Sequence, residues 1–166
     1  MQKGLNKLSW CAGAIGAVGM VFAVVNRFVQ DDAYISFRYA RNLFDGLGLV
    51  WNPGERVEGY TNFLWTVMMS PAFALKCDVV LWSYVLSIAS FAATLWLLWQ
   101  LSKKVIGDAD VPGWVVPVLA PLALMATNYS ITSYATGGLE TAFVTLLVLL
   151  SVWLLPLTRD VDSRLG

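Results

Sequence analysis

Uncharged apolar residues gather into long blocks along this chain, separated by short charged or polar stretches. Four blocks, at 8–29, 79–101, 111–131 and 139–157, reach the roughly 20 residues that a membrane-crossing helix needs. A fifth, 61–75, is short: about 15 residues at 1.5 Å each reach only about 22 Å of a roughly 30 Å hydrocarbon core. It also carries Pro71, and only Lys76-Cys77-Asp78 divides it from the next block, so it reads as an interfacial or re-entrant helix. Between the first two long blocks the pattern changes. Ala33, Phe37, Ala40 and Phe44 recur at helical spacing and define one apolar face, with Tyr34, Arg38, Arg41 and Asp45 on the opposite one. This spacing predicts an amphipathic helix lying along a membrane surface. Asp31 and Asp32 stand at its N-terminus, where the helix dipole favours negative charge, and Gly46 follows its end as a C-cap. Downstream, Asn52-Pro53-Gly54 has proline and glycine in the order of a type II turn. The expected fold class is all-α: a polytopic helical membrane protein of about four spans, with amphipathic juxtamembrane helices in a long first outer loop at about 30–78.

Composition agrees. Hydrophobic residues make up 58% of the chain and charged residues 13%, against about 25% charged in soluble proteins. Lys3 and Lys7 precede the first block, as they would in a signal peptide. That block is long for one, however, and ends in Val24-Val25-Asn26-Arg27 rather than a small-residue cleavage site, so it reads as a retained span. Charge placement favours four spans over five. With the N-terminus inside, four spans put Lys3, Lys7, Lys103, Lys104, Arg159 and Arg164 on the cytoplasmic side, and Arg27, Arg38, Arg41, Arg56 and Lys76 outside. Four spans also place Asp31, Asp32 and Glu140 on one face, whereas five would separate them. The 11 basic and 11 acidic residues balance, which offers no nucleic-acid surface. The absence of histidine excludes imidazole acid–base chemistry and imidazole metal sites. Cys11 and Cys77 alone supply no framework of disulfides or metal thiolates.

Two adjacent acids at a membrane face are costly near lipid, which makes Asp31 and Asp32 functional candidates. A helix N-cap and a first-turn acid would account for them equally. Arg38 and Arg41, one turn apart, suit a phosphate clamp or a solvated, headgroup-facing surface. Glu58, Tyr60, Thr61 and Asn62 beside a glycine are of the kind that hydrogen-bonds sugar hydroxyls, or else a polar lead-in to the short apolar helix. Glu140, at the mouth of the last block, is either an interfacial acid or a carboxylate facing the first pair. The tryptophans read as interfacial anchors and packing, and Gly13, Gly16 and Gly19 as a helix-contact stripe.

Three stretches carry a resemblance: Asp31-Asp-Ala-Tyr-Ile-Ser-Phe-Arg-Tyr-Ala-Arg-Asn42, Gly48-Leu-Val-Trp-Asn-Pro-Gly-Glu-Arg-Val-Glu-Gly-Tyr-Thr-Asn-Phe-Leu-Trp65 and Gly138-Leu-Glu-Thr141. Together they resemble the N-terminal part of a bacterial membrane glycosyltransferase of the GT-C type, most of all the mycobacterial-type terminal arabinofuranosyltransferases. The resemblance covers essentially the whole chain. It implies inverting transfer of a sugar from a polyprenyl-phosphate donor to a cell-envelope glycan acceptor, on the outer side of the bacterial cytoplasmic membrane. It also implies that an acid of the first outer loop is the general base; Asp31 matches that role best, with Asp32 its neighbour and Glu140 an acidic position met in related enzymes. Arg38 and Arg41 are phosphate-contact candidates from spacing alone. No cofactor is implied with certainty, and participation of a divalent metal varies among such enzymes. Full members run to several hundred residues, so the chain is expected to be a fragment, inactive without a C-terminal part. The partners implied are membrane lipids, the lipid-linked donor, the glycan and that missing part. A non-catalytic membrane protein binding lipid-phosphates or partner helices is the alternative, and a transporter, lacking a mid-span acid or base, comes third.

Overall fold

The computed structural model describes residues 2–55, 57–106 and 115–165, and every regular element among them is a helix. In chain order these are α1 (Gln2–Val25), α2 (Asp31–Phe44), α3 (Phe63–Met69), α4 (Pro71–Ala74), α5 (Val79–Ile106), α6 (Val115–Thr127), α7 (Tyr129–Tyr134) and α8 (Thr141–Leu165). The protein is all-α, with the apolar helices of a membrane protein. By length and composition, Leu8–Val25 and Val79–Lys104 are long enough to cross a bilayer, while Val115–Thr127 and Thr141–Leu155 are shorter apolar helices.

The apolar blocks thus become helices with shifted ends, each for a local reason. The block expected at 8–29 stops at Val25, and residues 26–30 form an irregular link to α2. The one expected at 111–131 is broken at Asn128, whose extended backbone and side-chain carbonyl, accepting from the Ile131 N–H at 3.0 Å, start a new helix. Asparagine competes for the backbone in this way and is therefore a better cap than helix interior. Residues 111–114 lie outside the described residues. The block at 139–157 begins as helix only at Thr141, because Gly138 turns the chain with φ +81°. The short block 61–75 forms two helices, α3 and α4, meeting at Ser70-Pro71, where proline supplies no N–H to continue the ladder.

The long helices pack as a bundle, α5 lying against α8, α6 and α1, and α1 against α6. Ala12, Ala23, Phe91, Leu95, Leu122, Ala126, Ala135 and Ala142 form its core. A stripe of small polar residues on α5, Ser83, Ser87, Ser90 and Thr94, is also buried. Ser83, Ser90 and Thr94 donate their hydroxyls to carbonyls of their own helix, at 2.7, 2.8 and 2.8 Å. Small residues whose polar groups are satisfied within the helix let apolar helices approach closely.

The glycine stripe on α1 divides in two. A Cβ at Gly19 would stand 2.9 Å from Ala126 Cβ and 3.0 Å from its Cα, so α1 and α6 touch through the missing side chain. Gly13 and Gly16 have no such neighbour and instead line an apolar groove of about 350 Å³ between α1 and α5. Gly19→Val is accordingly expected to cost about 1–3 kcal/mol by overpacking, and Gly13→Ala no more than a few tenths of a kcal/mol. Thermal unfolding of the two variants in detergent checks this; equal melting points would refute the close approach.

A second core sits at one end of the bundle. Ala33, Phe37 and Ala40 of α2 pack on Trp65 and Met69 of α3, and Val29, Trp82, Leu139 and Phe143 close around them. The expected apolar face of α2 holds for its first three members, but Phe44 is 46% exposed, touching only the edge of the core at Phe73. Ser36 and Tyr39 are buried as well, because residues 57–62 fold back over the helix. The buried surface of α2 is therefore wider than its apolar stripe. Its C-terminus closes as a Schellman motif: Leu47 N–H donates to Asn42 O, Gly46 N–H to Leu43 O, and Gly46 takes φ +78°.

Candidate functional site

Helix α2 begins at Asp31, one residue after its N-cap. Gln30 holds the N-cap position without a side-chain capping bond, so both Asp31 and Asp32 lie in the first turn. Neither carboxylate caps the helix: the N-cap reading of Asp31 gives way to Gln30. The first-turn reading of Asp32 holds and extends to Asp31, both standing where the helix dipole favours an acid. Asp31 is exposed and makes no hydrogen bond among the described residues. Asp32 receives a long bond of 3.4 Å from Gln30 Nε2.

Two backbone anchors bring the Gly137-Gly138 turn against this end of α2. The Gln30 N–H donates to Gly137 O at 2.9 Å, and the buried Trp65 indole donates to Gly138 O at 3.0 Å. Glu140 follows as the residue before α8, its carbonyl accepting from Val144 N–H at 2.8 Å. Its side chain receives the Asn62 amide at 2.8 Å. Asn62 has its other atom equally occupied, since Oδ1 accepts from Ser36 Oγ and from Thr66 Oγ1, both at 3.0 Å. An ionised carboxylate only accepts, so Asn62 must turn its NH₂ to Glu140 and its oxygen to the two hydroxyls. With Ser36 and Thr66 fully buried, this network of four side chains from α2, α3 and the α8 entrance fixes where Glu140 points.

The result is a cavity of about 290 Å³ lined by Asp32, Ile35, Ser36, Gly59, Tyr60, Thr61, Asn62, Leu139 and Glu140. Asp32, Ile35 and Ser36 are neighbours on one helix face; Asp31, one turn before Ile35, is exposed and is not among the residues that line the cavity. Hence the three stretches that carry the sequence resemblance meet here, with Asp32 and Glu140 at the same end of the bundle. A second cavity, of about 430 Å³, is lined by Leu47, Gly48, Leu49, Val50, Val57, Glu58 and Tyr60. Tyr60 belongs to both.

Arg38 and Arg41 lie elsewhere. Arg38 stacks on Trp51 at 4.1 Å and donates to Trp51 O at 3.0 Å and Asn52 Oδ1 at 2.8 Å, bracing the loop that follows α2. Arg41 pairs with Asp45 at 3.0 Å on the exposed side of the helix. The loop itself carries the expected type II turn: Gly54 has φ +86° and Glu55 N–H donates to Asn52 O at 3.1 Å. Arg56 lies outside the described residues.

Tyr39 is a positioning residue that the sequence reading did not single out. It is 1% exposed, donates to Val57 O at 2.7 Å and accepts from Gly59 N–H at 2.9 Å, and its ring meets Tyr60 edge-on at 4.7 Å. Trp65 is another, read as an anchor or packing residue but acting as the donor that holds the Gly138 carbonyl. For Tyr39 the signal would have been its place between the two faces of α2; for Trp65 there was none, since its partner is 73 residues away. Burial, then the Glu58 charge, then Tyr39 push the Tyr60 phenol above its ordinary value of 10.0, so it remains a neutral donor throughout the physiological range. Among the described residues no three His, Cys, Asp or Glu side chains converge to hold a metal. Asp32 and Glu140 are the two carboxylates of the first cavity.

No family model matches the chain, and no solved structure matches it. It is similar to the terminal beta-(1->2)-arabinofuranosyltransferase of Corynebacterium glutamicum, 32% identical over 122 residues, which are 69% of this chain and 16% of that relative. The protein of the same name from Mycobacterium tuberculosis is 46% identical over 43 residues, 26% of this chain and 7% of that relative. The matched region therefore spans about 16% of the longer relative's length.

Proposed function

We propose that the chain is the N-terminal membrane module of a GT-C type glycosyltransferase. On this reading it acts on the outer side of the cytoplasmic membrane and transfers arabinofuranose from a polyprenyl-phosphate donor to a glycan, with inversion. The observation that carries the reading is the shared cavity of Asp32, Tyr60, Asn62 and Glu140, built by the stretches in which the resemblance lies. Similarity to two terminal arabinofuranosyltransferases supports it.

The cavity suits the acceptor. Among the described residues its lining holds two carboxylates and no basic side chain, an environment that disfavours a phosphate and welcomes neutral hydroxyls. Asp31, beside Asp32 in the first turn of α2 and exposed, has its lone pairs free of hydrogen bonds from the described residues. In the proposed step it takes the proton of the acceptor hydroxyl as that oxygen attacks the anomeric carbon. The new C–O bond forms on one face while the bond to the phosphate oxygen breaks on the other, and polyprenyl phosphate leaves as the anion. Asp32 and Glu140 hold neighbouring hydroxyls, Glu140 being oriented by Asn62. The phosphate is met outside this cavity, and the remaining four-fifths or so of a full-length relative is proposed to supply most of the donor groove.

The test is a transfer assay in membranes with a polyprenyl-phosphoryl arabinofuranose donor and an arabinan acceptor. The chain is assayed alone and together with the remaining part of the Corynebacterium relative. Product in the combined sample is the expected result; absence of product from both, with the chain inserted and folded, would leave the non-catalytic lipid-phosphate-binding reading in its place.

A further inference from the structure

Tyr60 stands in the wall between two cavities, and nothing in the transfer step described above uses the second. That cavity is a built feature. Its outer wall, from Leu47 to Val50, leaves α2 through Gly46 and Gly48, both at positive φ, and is tied back by Asn42 Nδ2 to Val50 O at 2.7 Å and to Trp51 O at 3.1 Å. Its inner wall, from Val57 to Tyr60, is held by the two hydrogen bonds of Tyr39. A Cβ at Gly59 would lie 2.9 Å from the Tyr39 hydroxyl, so the glycine is what lets this strand of backbone close on the helix.

Two polar groups of this lining are open to a ligand, the exposed Glu58 and the half-buried Tyr60. The Glu58 carboxylate and the Tyr60 hydroxyl form no hydrogen bond with any described residue. The rest of the lining includes Leu47, Leu49, Val50 and Val57 and, among the described residues, no cation. An aliphatic wall beside one carboxylate and one phenol matches a neutral sugar ring, which offers a C–H face and hydroxyls together. It does not match a phosphate, which Glu58 repels.

We infer that the two cavities are consecutive saccharide subsites, Tyr60 lying at their junction, so that the chain recognises at least two linked sugar units of a glycan. This deepens the proposed reaction and rests on it for the identity of the sugar. The first subsite receives the unit that carries the attacking hydroxyl. The second holds the preceding unit through Glu58 and the aliphatic wall, and Tyr60 donates to the linkage or to an adjacent hydroxyl. Burial and Glu58 push the phenol above its ordinary value, so Tyr60 is a protonated donor at neutral pH.

The experiment is binding to the full chain in lipid nanodiscs, by saturation-transfer NMR titration. The probes are a methyl arabinofuranoside and an arabinofuranose disaccharide, and the variants are Glu58→Gln and Tyr60→Phe. The disaccharide is expected to bind more tightly than the monosaccharide. Each variant should weaken disaccharide binding by about 3- to 10-fold, the range of one neutral hydrogen bond. Glu58→Gln, which lies in the second cavity alone, should leave the monosaccharide unchanged, whereas Tyr60 lines both cavities and its loss is read on the disaccharide only. Tyr60→Phe keeps the edge-on contact with Tyr39, so a loss there reports the hydroxyl and not a collapsed wall. Equal affinity of the two sugars, or equal weakening of both by Glu58→Gln, overturns the second subsite while leaving the transferase reading intact. Failure of both sugars to bind the wild-type chain overturns both.

Discussion

Asp31→Asn is expected to lower kcat by about 10²–10⁴-fold, the typical contribution of a positioned general base, with KM for the acceptor little changed. Asparagine has the shape of aspartate and remains acceptable in a first helical turn, where the lost charge–dipole term is about 0.3–1 kcal/mol. The helix therefore survives the change and the chemistry does not. Asp32→Asn is expected to differ in kind. Asp32 lines the cavity together with Ile35 and Glu140, where on the proposed reading it accepts a substrate hydroxyl. Losing a hydrogen bond to a charged group is worth about 1.5–3 kcal/mol, which appears as a raised KM and a kcat/KM lower by roughly 10- to 100-fold. The pair of measurements is steady-state transfer by the chain combined with the remaining part of the Corynebacterium relative, both constants resolved. If the kcat loss follows Asp32 and spares Asp31, the two roles are exchanged; if neither variant loses rate, the base lies elsewhere, with Glu140 next to be replaced.

What could be read from sequence divides by the range of the interaction that decides it. The Schellman end of α2 at Gly46 and the type II turn at Asn52-Pro53-Gly54 were legible because residues within a few positions settle them. The apolar blocks were legible as helices, yet their ends were not. Asn128, Gly138 and Pro71 each compete locally against an apolar run, and the run alone does not reveal which wins. Least legible was convergence. Asn62 and Glu140 are 78 residues apart, and nothing in either neighbourhood marks them as hydrogen-bond partners. The charge pattern led to the expectation of Asp31, Asp32 and Glu140 on one outer face; the structure brings Asp32 and Glu140 into one cavity, with Asp31 next to Asp32 in the same helical turn. Arg38 shows the opposite case. Its spacing from Arg41 suggested a joint role, but a tryptophan 13 residues on engages one guanidinium and Asp45 the other.

The largest structural effect is expected from Gly138→Ala. This residue has φ +81°, where an L side chain costs about 1–2 kcal/mol. The added Cβ would also lie 2.8 Å from Ala33 Cβ and 3.3 Å from Val29 Cγ1. Ala33 is a fully buried residue on a helix anchored by the second core, so neither side yields cheaply, and overpacking adds about 1–3 kcal/mol. The sum, about 2–5 kcal/mol, is a large share of a typical stability of about 5–15 kcal/mol. Relief comes from moving the turn off α2, which stretches the Trp65–Gly138 and Gln30–Gly137 bonds and carries Glu140 away from Asn62. The variant should therefore lose both thermal stability and substrate binding. Gly137→Ala is the internal control, because its Cβ would find only ordinary contacts at 3.6 Å. A double variant separates the two causes. Adding Ala33→Gly removes the 2.8 Å contact but not the positive φ, so it should restore about half of the loss, read as a coupling between the two positions in thermal unfolding. Strict additivity of the two substitutions would mean that the turn does not press on α2, and that the acids of α2 and Glu140 are held together by some other contact.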